Sequence, residues 1–368
     1  MKICIDAREF VQGRKTGISR YLETFLPALQ QQHELVLFVN ELSAVPEDIL
    51  NGQTRRITLP GSSILFTDQV VIPRLTSKEK ADVFFSPYYK VPLSGRFKRI
   101  ITVHDIMFLR LHDENPVNRL LSGLQLRLST ARADLILADS DFTKRDLLDF
   151  IPGIERKISV LRPTLSPGWA SCADGQTDVA VRAKHTAGRP YFLYVGNFKP
   201  HKNVDLLVRT FLKLETDKCL GNHCLVLAGG DPVNNSRIKI LAGKAIDRGL
   251  IKILADIPEK ELRPLYSSAE WFITASSYEG FGYPALEAMT CACPVICMPC
   301  TSLPEIVGNT ALFLPEPTET ALSKVVRKTL LIPESDRKQL AEKSLAVARK
   351  FIEVNPPERL LTLIKDIQ

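Results

Sequence analysis

Two glutamates, Glu279 and Glu287, stand with seven residues between them inside the stretch Thr274 to Glu305. An ionised carboxylate accepts hydrogen bonds from several O–H groups, so two of them near one ligand suit recognition of a polyhydroxylated molecule. A carboxylate pair also suits glycoside hydrolysis, but that chemistry needs a path for water and has no use for a phosphate site. Exposure on a solvated surface is the commonest fate of a glutamate. The setting opposes it here: Glu279 lies between Tyr278 and Gly280, and Glu287 among Leu286, Ala288 and Met289. A second stretch, Val195 to Asn203, reads V-G-N-F-K-P-H-K-N. Gly196 ends an apolar run there, and Lys202 comes just before a helix start, with Lys199 and His201 beside it. An ammonium next to free backbone N–H groups at a helix N-terminus is a place for a diphosphate. His104-Asp105 closes another apolar run, Ile100 to Val103, where a packed or surface histidine competes with a site residue. Gly17 opens a helical pattern after the first apolar run, a further place for an anion or a sugar.

The elements that must carry these groups are legible as alternation. In the first half, apolar runs at Ile3–Ile5, Leu35–Val39, Arg56–Leu59, Val83–Phe85, Ile100–Val103, Leu135–Ala138 and Ile158–Leu161 are interleaved with helical patterns at Gly17–Leu29, Pro116–Ala133 and Phe142–Phe150. None shows the long polar–apolar alternation of a half-solvated antiparallel sheet; short apolar runs suit parallel strands covered by helices. The second half repeats the scheme with strands at Tyr191–Val195, Cys224–Ala228, Ile251–Leu254, Trp271–Ala275 and Val295–Met298. Its helices are expected near Val204–Leu214, Arg237–Arg248, Glu259–Ser267, Pro284–Thr290, Glu319–Leu331 and Glu334–Lys350, with a last amphipathic segment at Pro357–Ile367. The reading is an α/β protein of two doubly wound Rossmann-like domains facing across a cleft. Residues 1–165 form the first domain and 191–350 the second, with a linker at 166–190, rich in Ser, Gly, Pro, Ala and Asp. In the second domain a strand, a glycine turn and a helix opened by Pro284 set backbone N–H groups at the carboxyl end of the sheet. Glu279 then projects from the loop and Glu287 from about the first turn of the helix.

Composition narrows the function classes. The chain has 368 residues, 45% hydrophobic and 24% charged, enough for two cored domains. No apolar run is long enough to span a bilayer, and the first residues enter a strand without a leader pattern, so a cytoplasmic protein is expected. A net charge of +7 allows attraction to a nucleotide or an anionic lipid without demanding nucleic acid. Cys297-Met298-Pro299-Cys300 spells CxxC beside Cys291 and Cys293. No second CxxC follows at zinc-ribbon spacing, so packing around a strand is preferred to a metal or redox site. Asp139-Ser140-Asp141 has the form of a metal-binding DxD, but its place between a strand and a helix reads as an N-cap. No GxGxxG follows the first strand, which removes the nicotinamide fingerprint. Arg119, Arg127 and Arg132 accompany many leucines in the Pro116–Ala133 pattern. A core-facing helix with solvated arginines is the preferred reading, and peripheral membrane contact the alternative.

Together these pieces resemble the GT-B retaining glycosyltransferases of family 4 (glycosyl transferases group 1), with a mannosyltransferase-like cast. V-G-N-F-K-P-H-K-N (195–203) is similar to the diphosphate loop, and S-Y-E-G-F-G-Y-P-A-L-E-A-M (277–289) to the E-x7-E signature. T-G-I-S-R-Y (16–21), V-H-D (103–105), D-S-D-F-T-K (139–144), C-P-V-I (293–296) and S-L-P-E-I-V-G (302–308) continue the resemblance over nearly the whole chain. It implies that Glu279 and His104 contact the donor sugar, and Glu287 the nucleotide ribose. It implies that Lys202, Gly196 and the backbone around Phe281, Gly282 and Tyr283 hold the diphosphate, with Gly17 near diphosphate and acceptor. Residues 351–368 would return to the first domain. One departure stands out: Asn197 occupies the place where many members have an arginine.

The resemblance implies a hexosyltransferase using a nucleotide sugar, GDP-mannose favoured, with no cofactor and no metal. Its acceptor would be a glycan or lipid-linked molecule of surface polysaccharide or lipopolysaccharide synthesis, reached at the inner face of the plasma membrane. A nucleotide-sugar epimerase on the same scaffold and a catalytically silent GT-B partner subunit are the alternatives.

Overall fold

The structure is a computed structural model that describes the chain except residues 13–15, 112–114, 166–168, 170–174, 231, 256 and 368. The chain divides into two compact units, Met1–Thr164 with Val354–Gln368, and Leu165–Glu353.

Unit 1 holds a seven-stranded sheet in the order β3-β2-β1-β4-β5-β6-β7. The strands are β1 (Lys2–Asp6), β2 (Glu34–Val39), β3 (Arg55–Thr58), β4 (Val83–Ser86), β5 (Lys98–Val103), β6 (Leu135–Ala138) and β7 (Ile158–Val160). All six pairings are parallel. The order reverses direction between β1 and β4, which is where doubly wound sheets open a crevice at their carboxyl edge. Both faces are covered, one by the helix Gly17–Gln32 and the last helix, Pro356–Asp366. Leu360, Leu361, Leu363 and Ile364 of that last helix join Tyr21, Phe25 and Leu29 in the same core.

Unit 2 repeats the plan with six parallel strands ordered β10-β9-β8-β11-β12-β13. They are β8 (Tyr191–Gly196), β9 (Cys224–Gly229), β10 (Ile251–Leu254), β11 (Trp271–Ile273), β12 (Val295–Cys297) and β13 (Leu312–Phe313). Its reversal lies between β8 and β11. Glycine is required where β8 and β9 end side by side: Gly229 has φ +106, and a Cβ there would stand 2.6 Å from the carbonyl oxygen of Gly196.

Three expectations need correction. The segment 166–190 is not a free linker: a helix spans Gly175–Thr186, and Leu165 and Trp169 sit in the core of unit 2. That helix is tied down by polar contacts, Arg182 Nε to the Ser268 carbonyl at 3.0 Å and the buried Thr186 hydroxyl to the Arg189 carbonyl at 2.7 Å, so it shows little apolar periodicity. The helix expected at Arg237–Arg248 starts earlier, at Pro232, and stops at Ala242, because Gly243 turns the chain at φ +50. Glu287 lies in the second turn of the helix Tyr283–Thr290, not the first.

Leu360 is fully buried against unit 1. Leu360→Ala is expected to destabilise that unit by about 2–5 kcal/mol. Hydrogen exchange should then quicken in β1 and β2 while protection of β8 and β9 stays as it was.

Candidate functional site

The two loops at the reversal point of unit 2 are stitched together. After β8 the chain makes a single 3₁₀ turn, Pro200–Lys202, then passes through Asn203 in a left-handed conformation (φ 51°) into the helix Val204–Thr216. After β11 comes the loop that carries Glu279. The Ser277 N–H and hydroxyl both donate to the His201 carbonyl, at 2.9 and 3.1 Å. Asn203 Nδ2 donates to the Ala275 carbonyl at 2.8 Å. With this scaffold fixed, the Lys202 ammonium donates to both oxygens of Glu279, at 2.6 and 2.7 Å. The pair is shielded, with side-chain exposures of 15% and 13%. An ion pair held by two short contacts away from bulk water is a firm contact, unlike a solvated surface pair.

The backbone beyond Glu279 is shaped for an anion. The Glu279 N–H donates to the Thr301 hydroxyl at 3.0 Å, and the Ser302 hydroxyl donates to the carbonyls of Glu279 and Phe281, at 2.9 and 2.7 Å. These bonds turn the carbonyls inward. Among the described residues the N–H groups of Phe281 and Gly282 meet no hydrogen-bond acceptor, and they directly precede Tyr283–Thr290 with Pro284 at its second position. Gly282 has φ +106, and a Cβ on it would press to 2.9 Å from Leu303, so glycine is needed on two counts. Tyr194, Thr274, Ser276, Glu279 and Pro284 line a recess of about 10 Å³ behind this turn, the size of one water. Asn197 is exposed, and its Oδ1 accepts from the Lys199 N–H at 3.3 Å.

Glu287 is placed differently from Glu279. It is 1% exposed, on the inner face of its helix, and its Oε2 accepts a hydrogen bond from the Tyr266 hydroxyl at 2.8 Å. Tyr266 was not singled out in the sequence. It comes from the preceding helix, Glu259–Ser267, and packs edge-on against Trp169 at 6.1 Å. The cysteines after this helix pack: Cys291, Cys293 and Cys297 are buried in the core of unit 2, and burial pushes the Cys297 thiol up to about 12.

In unit 1, His104 is the first residue past β5. Its Nδ1 lies 2.7 Å from Asp139 Oδ2 and its Nε2 2.9 Å from the Pro87 carbonyl. A carboxylate and a carbonyl only accept, so this pairing favours a hydrogen on each ring nitrogen and with it the charged form of the ring. Burial by itself lowers the pKa of this histidine, but Asp139, with a smaller push from Asp105 and the Pro87 carbonyl, outweighs it and the pKa is raised. The Tyr21 ring stands edge-on to the imidazole at 5.1 Å, and the Thr143 hydroxyl donates to the His104 carbonyl at 3.1 Å. Ser140 caps the helix Asp141–Phe150, as its place in Asp139-Ser140-Asp141 predicts. Asp139 has another task that the capping reading missed: it holds His104, with its second oxygen, Oδ1, buried and unpartnered. The signal was available in the strand order. Val103 pairs with Ala138, so the next residues, 104 and 139, emerge side by side. Gly17 starts the helix Gly17–Gln32 under a capping box of Thr16 and Ser19, with open space where a Cβ would point.

Known proteins resemble this chain in sequence family and in fold. Residues 178–345 match the family described as Glycosyl transferases group 1, and residues 15–166 match Glycosyltransferase Family 4. The chain is 28% identical over 371 residues to O-antigen chain mannosyltransferase B of Escherichia coli, covering 95% of this chain and 96% of that protein. Among solved structures, Anabaena Alr3699/HepE in complex with UDP-glucose superposes with a TM-score of 0.81 at 13% identity over all of both chains. WaaG, a glycosyltransferase involved in lipopolysaccharide biosynthesis, does so with a TM-score of 0.75 at 17% identity over 98% of both.

The His104–Asp139 contact makes a pH prediction. Because the folded pKa of His104 lies above its ordinary 6.5, the pair's stabilisation is full below that value and is lost as pH rises through the folded pKa. Asp139→Asn should therefore move the His104 titration, followed by the NMR shift of its ring protons, to lower pH. An unmoved titration would show that the carboxylate does not hold the charge.

Proposed function

Because the chain belongs to the family 4, group 1 glycosyltransferases and is a hexosyltransferase of GT-B fold, we propose that it moves mannose from GDP-mannose to a growing surface glycan. The acceptor we infer is lipid-linked, of the lipopolysaccharide O-antigen class, and reached from the inner face of the plasma membrane. What supports the reading is one observation above the others: Lys202 holds Glu279 at the reversal point of unit 2, on the loop that leads through Phe281 and Gly282 into a helix N-terminus. That is the place and the chemistry for a diphosphate next to a sugar.

In this reading the incoming diphosphate competes with Glu279 for the Lys202 ammonium. As the cation turns to the phosphate, the carboxylate is released to accept sugar hydroxyls. The bond from the sugar C1 to the diphosphate oxygen then breaks, with negative charge gathering on an oxygen that Lys202 and the helix-opening N–H groups stabilise. The acceptor hydroxyl attacks C1 from the same face and passes its proton to the departing phosphate, so the anomeric configuration is retained. No protein nucleophile enters, and Lys202 with the backbone supplies the positive charge, so no metal is assigned to the step. His104 is assigned to the donor sugar, its Nε2 exchanging the Pro87 carbonyl for a sugar hydroxyl; Gly17 and Gly196 are assigned to the diphosphate region, and Glu287 to the ribose, alongside its Tyr266 contact.

Purified protein with GDP-mannose and a lipid-linked acceptor tests the assignment. Lys202→Ala and Glu279→Ala should each lower turnover by roughly 10²–10³-fold, the range for loss of one charge-stabilising group. Wild-type turnover in both variants would refute the site. The donor is tested separately by thermal shift. The true nucleotide sugar at a hundred times its Kd should stabilise the protein by about 2.7 kcal/mol, and a UDP-sugar that does so better than GDP-mannose would overturn the choice of base.

A further inference from the structure

A strained residue stands behind Glu279. Thr301 has φ +56, and among the described residues it is the one β-branched side chain in the left-handed region. A branched Cβ crowds the backbone there, and glycine or asparagine takes such a position at less cost. Conformations of this kind persist only where the surroundings hold them, and they gather at ligand sites. The holding contacts are plain. The Leu303 N–H closes the turn onto the Cys300 carbonyl at 3.2 Å. Leu303 itself packs against the glycine turn, 2.9 Å from where a Cβ on Gly282 would stand. The Ser302 hydroxyl fastens the carbonyls of Glu279 and Phe281, at 2.9 and 2.7 Å. Thr301 is thereby fixed against the backbone of Glu279.

What this backbone presents is a hydroxyl. Thr301 Oγ1 accepts the Glu279 N–H at 3.0 Å. A hydroxyl also has a hydrogen to give. No oxygen or nitrogen of the described residues takes it. The neighbouring Cys300 sulfur is a poor acceptor: burial raises the pKa of that thiol, and its own hydrogen points to the Ser276 carbonyl at 3.3 Å. Other hydroxyls near Glu279 are engaged. Thr274 and Ser276 are buried against each other at 2.9 Å, and Ser277 donates to the His201 carbonyl at 3.1 Å. The Tyr194 hydroxyl donates to the Asn197 carbonyl at 2.6 Å. Thr301 is only half-buried, so an O–H donor stands ready beside a carboxylate that can only accept.

We propose that Thr301 is a specificity-determining residue for the donor, its hydroxyl donating to a hydroxyl oxygen of the transferred sugar while Glu279 accepts from the same sugar. The two groups are complementary. A sugar hydroxyl gives its hydrogen to the carboxylate and receives one from Thr301, on the same or the adjoining carbon. A position without oxygen satisfies neither group, and a nucleoside diphosphate without its sugar leaves Thr301 unused. The inference deepens the proposed reaction and rests on Glu279 holding the sugar there.

The test is calorimetric titration of the full chain with GDP-mannose and with GDP, no acceptor being present. Thr301→Val keeps the branched shape and removes the hydroxyl. It should weaken GDP-mannose binding roughly fivefold and leave GDP binding as it was. Thr301→Ser should restore wild-type affinity. Thr301→Gly relieves the backbone but should lose the sugar to the same extent as valine, whereas a role in backbone shape alone would let it bind as wild type does. In a Glu279→Ala background, Thr301→Val should still weaken GDP-mannose binding; a residue acting only through Glu279 would add nothing there. The inference is overturned by wild-type affinity of the valine or glycine variant for GDP-mannose, by an equal loss for GDP, or by no added loss in the Glu279→Ala background. Each of those results, with GDP-mannose bound by wild type, leaves the donor reading standing. Wild-type protein that binds neither ligand refutes the donor reading itself.

Discussion

An ammonium resting on both oxygens of one carboxylate, with most water excluded, is the contact on which unit 2 is arranged. Bringing either charge out of water alone is unfavourable, so each depends on the other being in place. The surrounding bonds meet that demand. Ser277 and Asn203 tie the Lys202 loop to the Glu279 loop, and Thr301 and Ser302 fix the backbone on either side of Glu279. The parallel order β8-β11 makes the two loops neighbours, and Gly196 and Gly229 let the adjoining strand ends approach closely enough. A pair that is rigid in its frame but held by charge alone can exchange partners when an anion arrives, without refolding the loops around it.

The same logic of neighbouring strand ends builds the site of unit 1. His104 and Asp139 follow paired residues of β5 and β6, and Pro87 follows β4 on the other side. The imidazole is thus held between two acceptors from two different loops, with Tyr21 closing its face. Held between two acceptors, the ring is favoured in its protonated form.

Much of this was legible in the residues. The strand runs marked both sheets, and Glu279 and the basic loop ending in Lys202 drew attention to the two loops that the structure ties together. What escaped notice did so for physical reasons. The helix Gly175–Thr186 is attached through hydroxyl and guanidinium bonds, which leave no apolar period to see. Tyr266 meets Glu287 only through tertiary packing. Asp139 hid behind a true capping role for its neighbour Ser140. The helix Pro116–Arg132 deceived most directly: leucine at helical spacing implies a core face, but Gly123, Ser129 and Thr130 pack closely enough for that face to be the other one. Periodicity reports that a helix has two faces, and which one turns inward is decided by what it must fit against.

The central claim is that Lys202 and Glu279 are the grip on a nucleotide sugar, and a crystal structure of the chain with GDP-mannose tests it most directly. The account predicts the diphosphate against the Lys202 ammonium and the N–H groups of Phe281 and Gly282, with Glu279 turned from Lys202 to the sugar hydroxyls. A sugar nucleotide bound elsewhere, with the Lys202–Glu279 contact still closed, would contradict it.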